Sequence, residues 1–104
     1  MRVLDSYSIL AHLKDEPGAE RMDAVYRSAR ESGQRLLLCV VNWGEVFYAT
    51  LRTFGRERAN DAAALISTLP IEIIPADLEL ARQAAEFKAT KKMSYAGCFA
   101  AALA

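Results

Sequence analysis

Two carboxylates occupy positions where an α/β protein places reactive groups. Asp5 follows the short apolar start Val3-Leu4, and Glu45 comes shortly after the continuous apolar run 36–41. If these runs are neighbouring strands of a parallel sheet, both acids overhang the crevice beyond the carboxyl ends of the strands, where such sheets form their sites. Carboxylate oxygens suit magnesium or manganese, and an ion of this kind activates water and stabilises charge on a phosphodiester.

Each acid also has an interpretation that requires no chemistry. Residues 42–45 (Asn-Trp-Gly-Glu) have the form of a capping box, in which Glu45 only reaches back to the amide of the first residue. Asp5 suits the N-cap of a helix that begins near Ser6. Asp77 is a weaker functional candidate, because residues 77–80 (Asp-Leu-Glu-Leu) have the form of an ordinary N-cap. The residues alone leave both interpretations of Asp5 and Glu45 open.

Apolar runs alternate with amphipathic stretches along the chain, and this alternation predicts the elements that position the acids. Residues 3–4, 36–41 and 71–74 read as strands, the second of them buried on both faces. Caps, glycines and prolines predict the helix boundaries. The predicted helices cover residues 6–13 before a break at 16–18, then 19–32, 42–54, 56–69, 78–90 after Asp77 and 95–104 after Ser94.

Strands separated by helices predict an α/β fold in which helices flank a parallel sheet in three layers. The 104 residues have room for one domain, 1–104, with one core. Three strands are few for so many helices, and the apolar helix 95–104 has no capping residue after it. We therefore expect a fold that lacks its C-terminal strand.

The composition limits the function classes. Thirteen basic residues balance thirteen acidic ones, so RNA binding would need a local patch or a bound cation rather than overall charge. One histidine and two isolated cysteines, Cys39 and Cys98, make a zinc site improbable and favour two buried thiols over a disulfide. The run 36–41 is too short to span a bilayer and no signal peptide opens the chain, which predicts a cytoplasmic protein.

Three segments carry a resemblance to a known family. Val3-Leu-Asp-Ser-Tyr-Ser-Ile-Leu10 resembles the opening strand, first metal-binding aspartate and following helix of PIN domains. Val41-Asn-Trp-Gly-Glu-Val-Phe-Tyr48 is similar to the second acidic motif of that family, and Met93-Ser-Tyr-Ala-Gly-Cys-Phe-Ala-Ala-Ala-Leu103 to the third. Together the segments span nearly the whole chain in the order and spacing of the family.

The resemblance is to PIN-domain ribonucleases of the VapC toxin type. It implies an endoribonuclease that uses Mg²⁺ or Mn²⁺ and water to cleave structured RNA. It also implies that Asp5 and Glu45 are acids of the site, with Ser6 assisting beside the first of them. The implied partners are an RNA substrate, a second copy of the chain in a homodimer, and an antitoxin protein that covers the catalytic groove.

Two departures from the family pattern predict impaired activity. The third motif normally carries an aspartate where this chain has Gly97, and the final strand of the family lies beyond Ala104. Glycine in a helix costs up to about 1 kcal/mol relative to alanine, whereas an acid in a first turn is favoured by the helix dipole. We expect weak or absent metal binding. The alternative function is that of a catalytically dead PIN module, which binds antitoxin or RNA without cleavage.

A phosphoacceptor receiver domain is a further alternative with a parallel sheet and an acidic pocket. It would need paired acids after the first strand and an aspartate at the end of the third. Here Ser6 follows Asp5, and the third strand ends in Ile74-Pro75, so the sequence disfavours it. We expect no chemistry from His12, which lacks an obvious acidic partner in sequence. The helical stripe Trp43, Phe47, Tyr48, Leu51 and Phe54 is expected to pack rather than stack on bases.

Overall fold

The computed structural model describes residues 2–13 and 19–104, so the predicted break at 16–18 lies outside the described residues. These two ranges contain three strands and six helices. The strands are β1 (Arg2–Leu4), β2 (Leu36–Cys39) and β3 (Ile71–Ile74). The helices are α1 (Ser6–Leu13), α2 (Ala19–Ser32), α3 (Val40–Phe54), α4 (Arg56–Thr68), α5 (Leu78–Thr90) and α6 (Tyr95–Leu103). None of the helices in these ranges is long and apolar enough to cross a membrane.

The strands form one parallel sheet in the order β1-β2-β3, as predicted. Leu4 is aligned with Leu38 of the central strand, and Ile74 with Cys39. Residues beyond Cys39 therefore have no neighbouring strand to pair with. This explains why the predicted strand 36–41 is wrong by two residues and why α3 begins at Val40 rather than at residue 42.

Most other helix ends follow the predicted signals. Gly33 has φ 72° and Gly55 has φ 94°, so each takes a left-handed conformation that side chains disfavour, directly after a helix. The Asp77 carboxylate accepts from the Leu80 amide at 2.8 Å, which confirms the N-cap of α5. Ser94 likewise caps α6.

The larger core lies on one face of the sheet. Side chains alternate between faces along a strand, so Leu36 and Leu38 of the central strand point to the same side. There they meet α1, α2, α3 and α4 through mostly large apolar side chains. The buried members of this large-residue core are Leu4, Ile9, Met22, Tyr26, Ala29, Leu36, Leu38, Val46, Ile66 and Ile71.

The smaller core lies on the opposite face, under α5 and α6. Its buried members are Cys39, Leu80, Ala84, Cys98 and Phe99. Both cysteines are buried free thiols, as predicted. Helices on both faces of a parallel sheet make the predicted three-layer α/β fold.

Candidate active site

Asp5 directly follows β1 and is exposed to solvent. One carboxylate oxygen accepts a hydrogen bond from the amide of Ser8 at 2.8 Å, so Asp5 caps α1. The capping interpretation is therefore confirmed. It does not exclude a second role, because a carboxylate has two oxygens and several acceptor positions.

Glu45 is half-buried in the second turn of α3, because the helix begins at Val40, whereas the predicted helix 42–54 would place Glu45 in its first turn. The capping box predicted for residues 42–45 is wrong, because the N-cap of α3 is Cys39, which makes no side-chain capping bond. Asn42 is the third residue of the helix and its side chain is engaged elsewhere. Glu45 therefore does not have the capping role that the sequence offered as an alternative to a functional one.

Asn42 connects three parts of the chain that are distant in sequence. It is fully buried, at 0% exposure. Its Nδ2 donates to the Ser6 hydroxyl at 3.2 Å and to the Ala96 carbonyl at 2.9 Å. The Ser6 hydroxyl in turn donates to the backbone carbonyl of Asn42 at 3.3 Å. We call these three hydrogen bonds the Asn42 network, and they join the first turns of α1, α3 and α6.

The Asn42 network involves residues close in sequence to Asp5, Glu45 and Gly97. Asp5 is next to Ser6, Gly97 is next to Ala96, and Glu45 follows Asn42 by three residues in the same helix. Strands β1 and β2, which lead into the first two segments, are neighbours. The structure thus connects the three predicted motif segments at the carboxyl ends of two adjacent strands.

Ser6 is placed inside the protein rather than on the crevice surface. It is the first residue of α1 and is 4% exposed. Its hydroxyl both donates and accepts within the Asn42 network. A hydroxyl has one proton to donate, and here that proton is directed at the Asn42 carbonyl. The geometry favours a positional role for Ser6 over direct assistance to a reacting group.

Gly97 is the third residue of α6 and is half-buried. Its amide donates to the Ser94 hydroxyl at 3.0 Å, which is the capping bond of the helix. A Cβ at position 97 would lie 3.1 Å from that hydroxyl oxygen and 3.5 Å from the Met93 methyl carbon. A side chain therefore needs a shift of a few tenths of an ångström in Ser94, which opposes the gain in helix propensity anticipated from the sequence.

The residues present fit a weakly held metal ion better than a tightly held one. Within residues 2–13 and 19–104, no three His, Cys, Asp or Glu side chains come together in a group that would hold a metal. Asp5 and Glu45 are the acids of the joined segments. Magnesium is commonly bound through one or two carboxylates and keeps several waters, so two acids suffice for weak binding.

Sequence reasoning missed the contacts of two polar residues. Asn42 was interpreted as a helix cap, although an asparagine directly after the apolar run 36–41 was itself a signal of a buried polar contact. His12 is half-buried on α1, and its Nε2 lies 2.7 Å from a carboxylate oxygen of Asp23 in α2, a partner that is not adjacent in sequence. His12 also packs edge-on against Tyr26, with ring centroids 5.1 Å apart. No local sequence pattern linked these positions.

The aromatic stripe of α3 packs only in part. Trp43 and Phe47 are half-buried and stack on each other with ring centroids 5.4 Å apart. Tyr48 and Phe54 are 55% and 49% exposed. These last two residues therefore do not belong to the core and leave an apolar surface available on α3.

Comparisons with known proteins agree with this architecture. The family model for the PIN domain matches residues 2–104. The structure is similar to the crystal structure of Mycobacterium tuberculosis VapC20, a toxin that cleaves the sarcin–ricin loop. The TM-score is 0.71 and the sequence identity is 19%, and the match covers 99% of this chain and 80% of that chain. No curated protein sequence matches. Since the family model matches nearly every residue, the chain belongs to the PIN domain family.

Proposed function

We propose that this chain descends from toxin-type endoribonucleases that hydrolyse RNA phosphodiester bonds with a divalent metal, and that Gly97 impairs its activity. Membership of the PIN domain family supports a nuclease. The observation that carries the proposal is the Asn42 network, because it joins the segments of Asp5, Glu45 and Gly97 at one edge of the sheet.

Asp5 and Glu45 are the proposed ligands of Mg²⁺ or Mn²⁺. When bound, such an ion lowers the pKa of water and stabilises negative charge on the phosphodiester. The chain contributes two carboxylates to hold the ion and the buried Ser6 to fix the start of α1 beside Asp5. At position 97 the family carboxylate is missing, so we expect weak metal binding.

The proposed substrate is RNA, held by local charge because the net charge is zero. Lys91 and Lys92 are exposed and precede Ser94, the cap of the helix that carries Gly97, with Met93 between them. Exposed lysines at this position suit contact with phosphates. VapC20 cleaves the sarcin–ricin loop, so a hairpin with that loop is a suitable first test RNA beside an unrelated hairpin.

Restoration of the carboxylate at position 97 tests the proposal. We expect Gly97→Asp to gain little stability without metal, since clustered carboxylates repel one another and offset the favourable helix dipole. Mg²⁺ should then raise the melting temperature of the Asp variant more than that of the Gly chain, because a ligand that binds the folded state stabilises it. Cleavage of the test RNA should require metal and be lost again in Gly97→Asp/Asp5→Ala.

Gly97→Asn is the matched control, since it has the same size as aspartate and no charge. It should respond to Mg²⁺ as the Gly chain does. Equal metal-induced shifts in the melting temperatures of the Gly, Asn and Asp forms would show that residue 97 does not face the site and would contradict the proposal.

The second candidate function is that of a PIN module that binds its antitoxin without cleaving RNA, and one observation favours it. A groove of about 600 Å³ lies between α1, α3 and α4. Its lining is mainly apolar, with Arg58 and Asp61 available to pair with charges on an antitoxin segment; the apolar residues include Leu10, Leu13, Phe54 and Leu65. Nuclease activity and binding of the cognate antitoxin, measured on one preparation, separate the two candidates: binding without any metal-dependent cleavage supports the second.

A homodimer and a cytoplasmic location complete the proposal. The exposed Tyr48 and Phe54 on α3 offer an apolar surface to a second copy, and β1 and β3 each have one unpaired edge within the described sheet. Sedimentation of a dilute sample as a stable monomer would contradict the dimer. Reducing conditions suit the two buried free thiols.

A further inference from the structure

Asn42 has an environment in which an apolar residue would be expected. It follows Val40 and Val41 in α3, is fully buried, and its Oδ1 has no hydrogen-bond partner within the described residues. Burial of a carbonyl oxygen without a partner destabilises the folded state. The contribution of Asn42 to the structure therefore comes from its two donated hydrogen bonds and not from Oδ1.

The orientation of the Asn42 amide is determined by its partners. The Ala96 carbonyl can only accept, so the atom that faces it at 2.9 Å must be Nδ2. The same nitrogen donates to the Ser6 hydroxyl. The proton of that hydroxyl points to the backbone carbonyl of Asn42. An aspartate at position 42 would place an oxygen against the Ala96 carbonyl, so the amide is required at this position.

We propose that Asn42 is a positioning residue that sets the spacing of Asp5, Glu45 and position 97. The inference rests on the proposed function, since it concerns the geometry of that same metal site. Through Ser6 the amide fixes the turn that carries Asp5, and through Ala96 it fixes the first turn of α6. Glu45 is one turn further along the helix that carries Asn42. Ser6, as a member of the Asn42 network, is a positioning residue as well.

One double variant removes the Asn42 network without leaving a buried polar group unpaired. In Ser6→Ala/Asn42→Leu, both side-chain partners become apolar. The carbonyls of residues 42 and 96 lie inside helices, where each keeps the bond to the amide four residues on. Replacement of both partners in a buried hydrogen bond by apolar groups is often nearly neutral for stability. We therefore expect a melting temperature within about 5 °C of the parent.

Metal affinity is the measurement that a purely structural role would not change. The parent is the Gly97→Asp chain, and the probe is Mn²⁺ alone, titrated by calorimetry. Loss of residues that orient metal ligands typically weakens binding about 10- to 100-fold. We expect at least a tenfold rise in the Kd for Mn²⁺ in the double variant. The matched control is Thr50→Val in the same helix, since Thr50 is buried and, among the described residues, its hydroxyl bonds only to the Val46 carbonyl of its own helix. It should leave the Kd unchanged.

A second measurement needs no metal. Amide NMR spectra of the wild-type chain and its Ser6→Ala/Asn42→Leu form should differ at the Ser8 and Gly97 amides, which bond to Asp5 and Ser94. Unchanged signals there, or an unchanged Kd for Mn²⁺ in a parent that binds the ion, would overturn the positioning role. A parent that binds no Mn²⁺ would instead overturn the proposed metal site, and the amide signals would then decide the role of Asn42 on their own.

Discussion

The two faces of the sheet are built from side chains of different size. The large-residue core under α1 to α4 contains leucines, isoleucines, a methionine and a tyrosine, whereas the face under α5 and α6 relies on two cysteines, an alanine, a leucine and a phenylalanine. Free energy from burial scales with the apolar area removed from water. The first face therefore supplies most of the stability, and the second brings α6 close to the sheet through small residues.

This difference matters for the candidate site because the site draws on both faces. Asp5 and Glu45 belong to segments that run into the large-residue core, through Leu4 and Val46. Position 97 belongs to α6, next to Cys98 of the smaller core. The Asn42 network crosses from one side to the other and ties α6, which packs on the smaller core, to the segments of the large-residue core.

The largest expected effect is at Leu38, which is fully buried in the central strand. Leu38→Ala should lower the free energy of unfolding by about 3 kcal/mol, because it removes buried carbon atoms and leaves a cavity. Cys98→Ala on the opposite face removes one sulfur atom and should cost about 1 kcal/mol. Urea unfolding of both variants measures the contrast. Equal losses would mean that the two faces stabilise the fold to the same extent.

Tyr26 gives the large-residue core a dependence on alkaline pH. Burial, with a smaller contribution from the charge of Asp23, raises the pKa of Tyr26 from 10.0 to about 12. Below pH 10 the phenol is neutral in both states and stability is complete. Between pH 10 and 12 the unfolded chain loses this proton first, so the free energy of unfolding should fall, by about 2 kcal/mol near pH 12.

Tyr26→Phe should remove this alkaline loss, and at neutral pH it should cost little, because the Tyr26 hydroxyl has no partner within the described residues. Tyr7→Phe is the control, since Tyr7 is 74% exposed. The measurement is the urea midpoint of each form at pH 8 and pH 11. If the wild-type and Tyr26→Phe chains lose stability in parallel, the phenol is not buried as the structure has it.

The smallest expected effect is at Gly97, in the helix of the smaller core. Gly97→Ala gains helix propensity, but its Cβ would press on the capping hydroxyl of Ser94 at 3.1 Å. We expect a net change below about 0.5 kcal/mol. In the Ser94→Ala background the obstruction is absent, so the same substitution should stabilise by up to about 1 kcal/mol. Thermal unfolding of the four chains forms a double-mutant cycle, and strict additivity would show that the hydroxyl does not oppose a side chain at position 97.

The sequence predicted those elements whose boundaries are determined locally. Gly33 and Gly55 follow helices because their backbone takes a conformation that other residues avoid, and Asp77 and Ser94 begin helices through their own side chains. The end of β2 could not be predicted in this way. It is determined by where β1 and β3 end, and no residue near Val40 carries that information.

The candidate site shows the same limit. Asp5 and Glu45 were identified by their positions after apolar runs, which is local information. The role of Asn42 depends on Ser6 and on Ala96, which are 36 and 54 residues away in sequence. The contact between His12 and Asp23 depends on how α1 and α2 pack. Contacts of this kind follow from the fold and not from the periodicity of any one segment.

The parallel sheet also determines the order in which the molecule can assemble. Pairing of β1 with β2 aligns Arg2 with Leu36, and pairing of β2 with β3 aligns Leu36 with Ile71, so no strand of the described sheet pairs with a segment close to it in sequence. Such distant pairings require chain closure before any contact forms, which slows folding relative to helical bundles. The bond from Asn42 to the Ala96 carbonyl spans 54 residues and needs both pairings and the docking of α6. During synthesis of the chain, the segments that carry Asp5, Glu45 and Gly97 can therefore be joined only after Ala96 has left the ribosome.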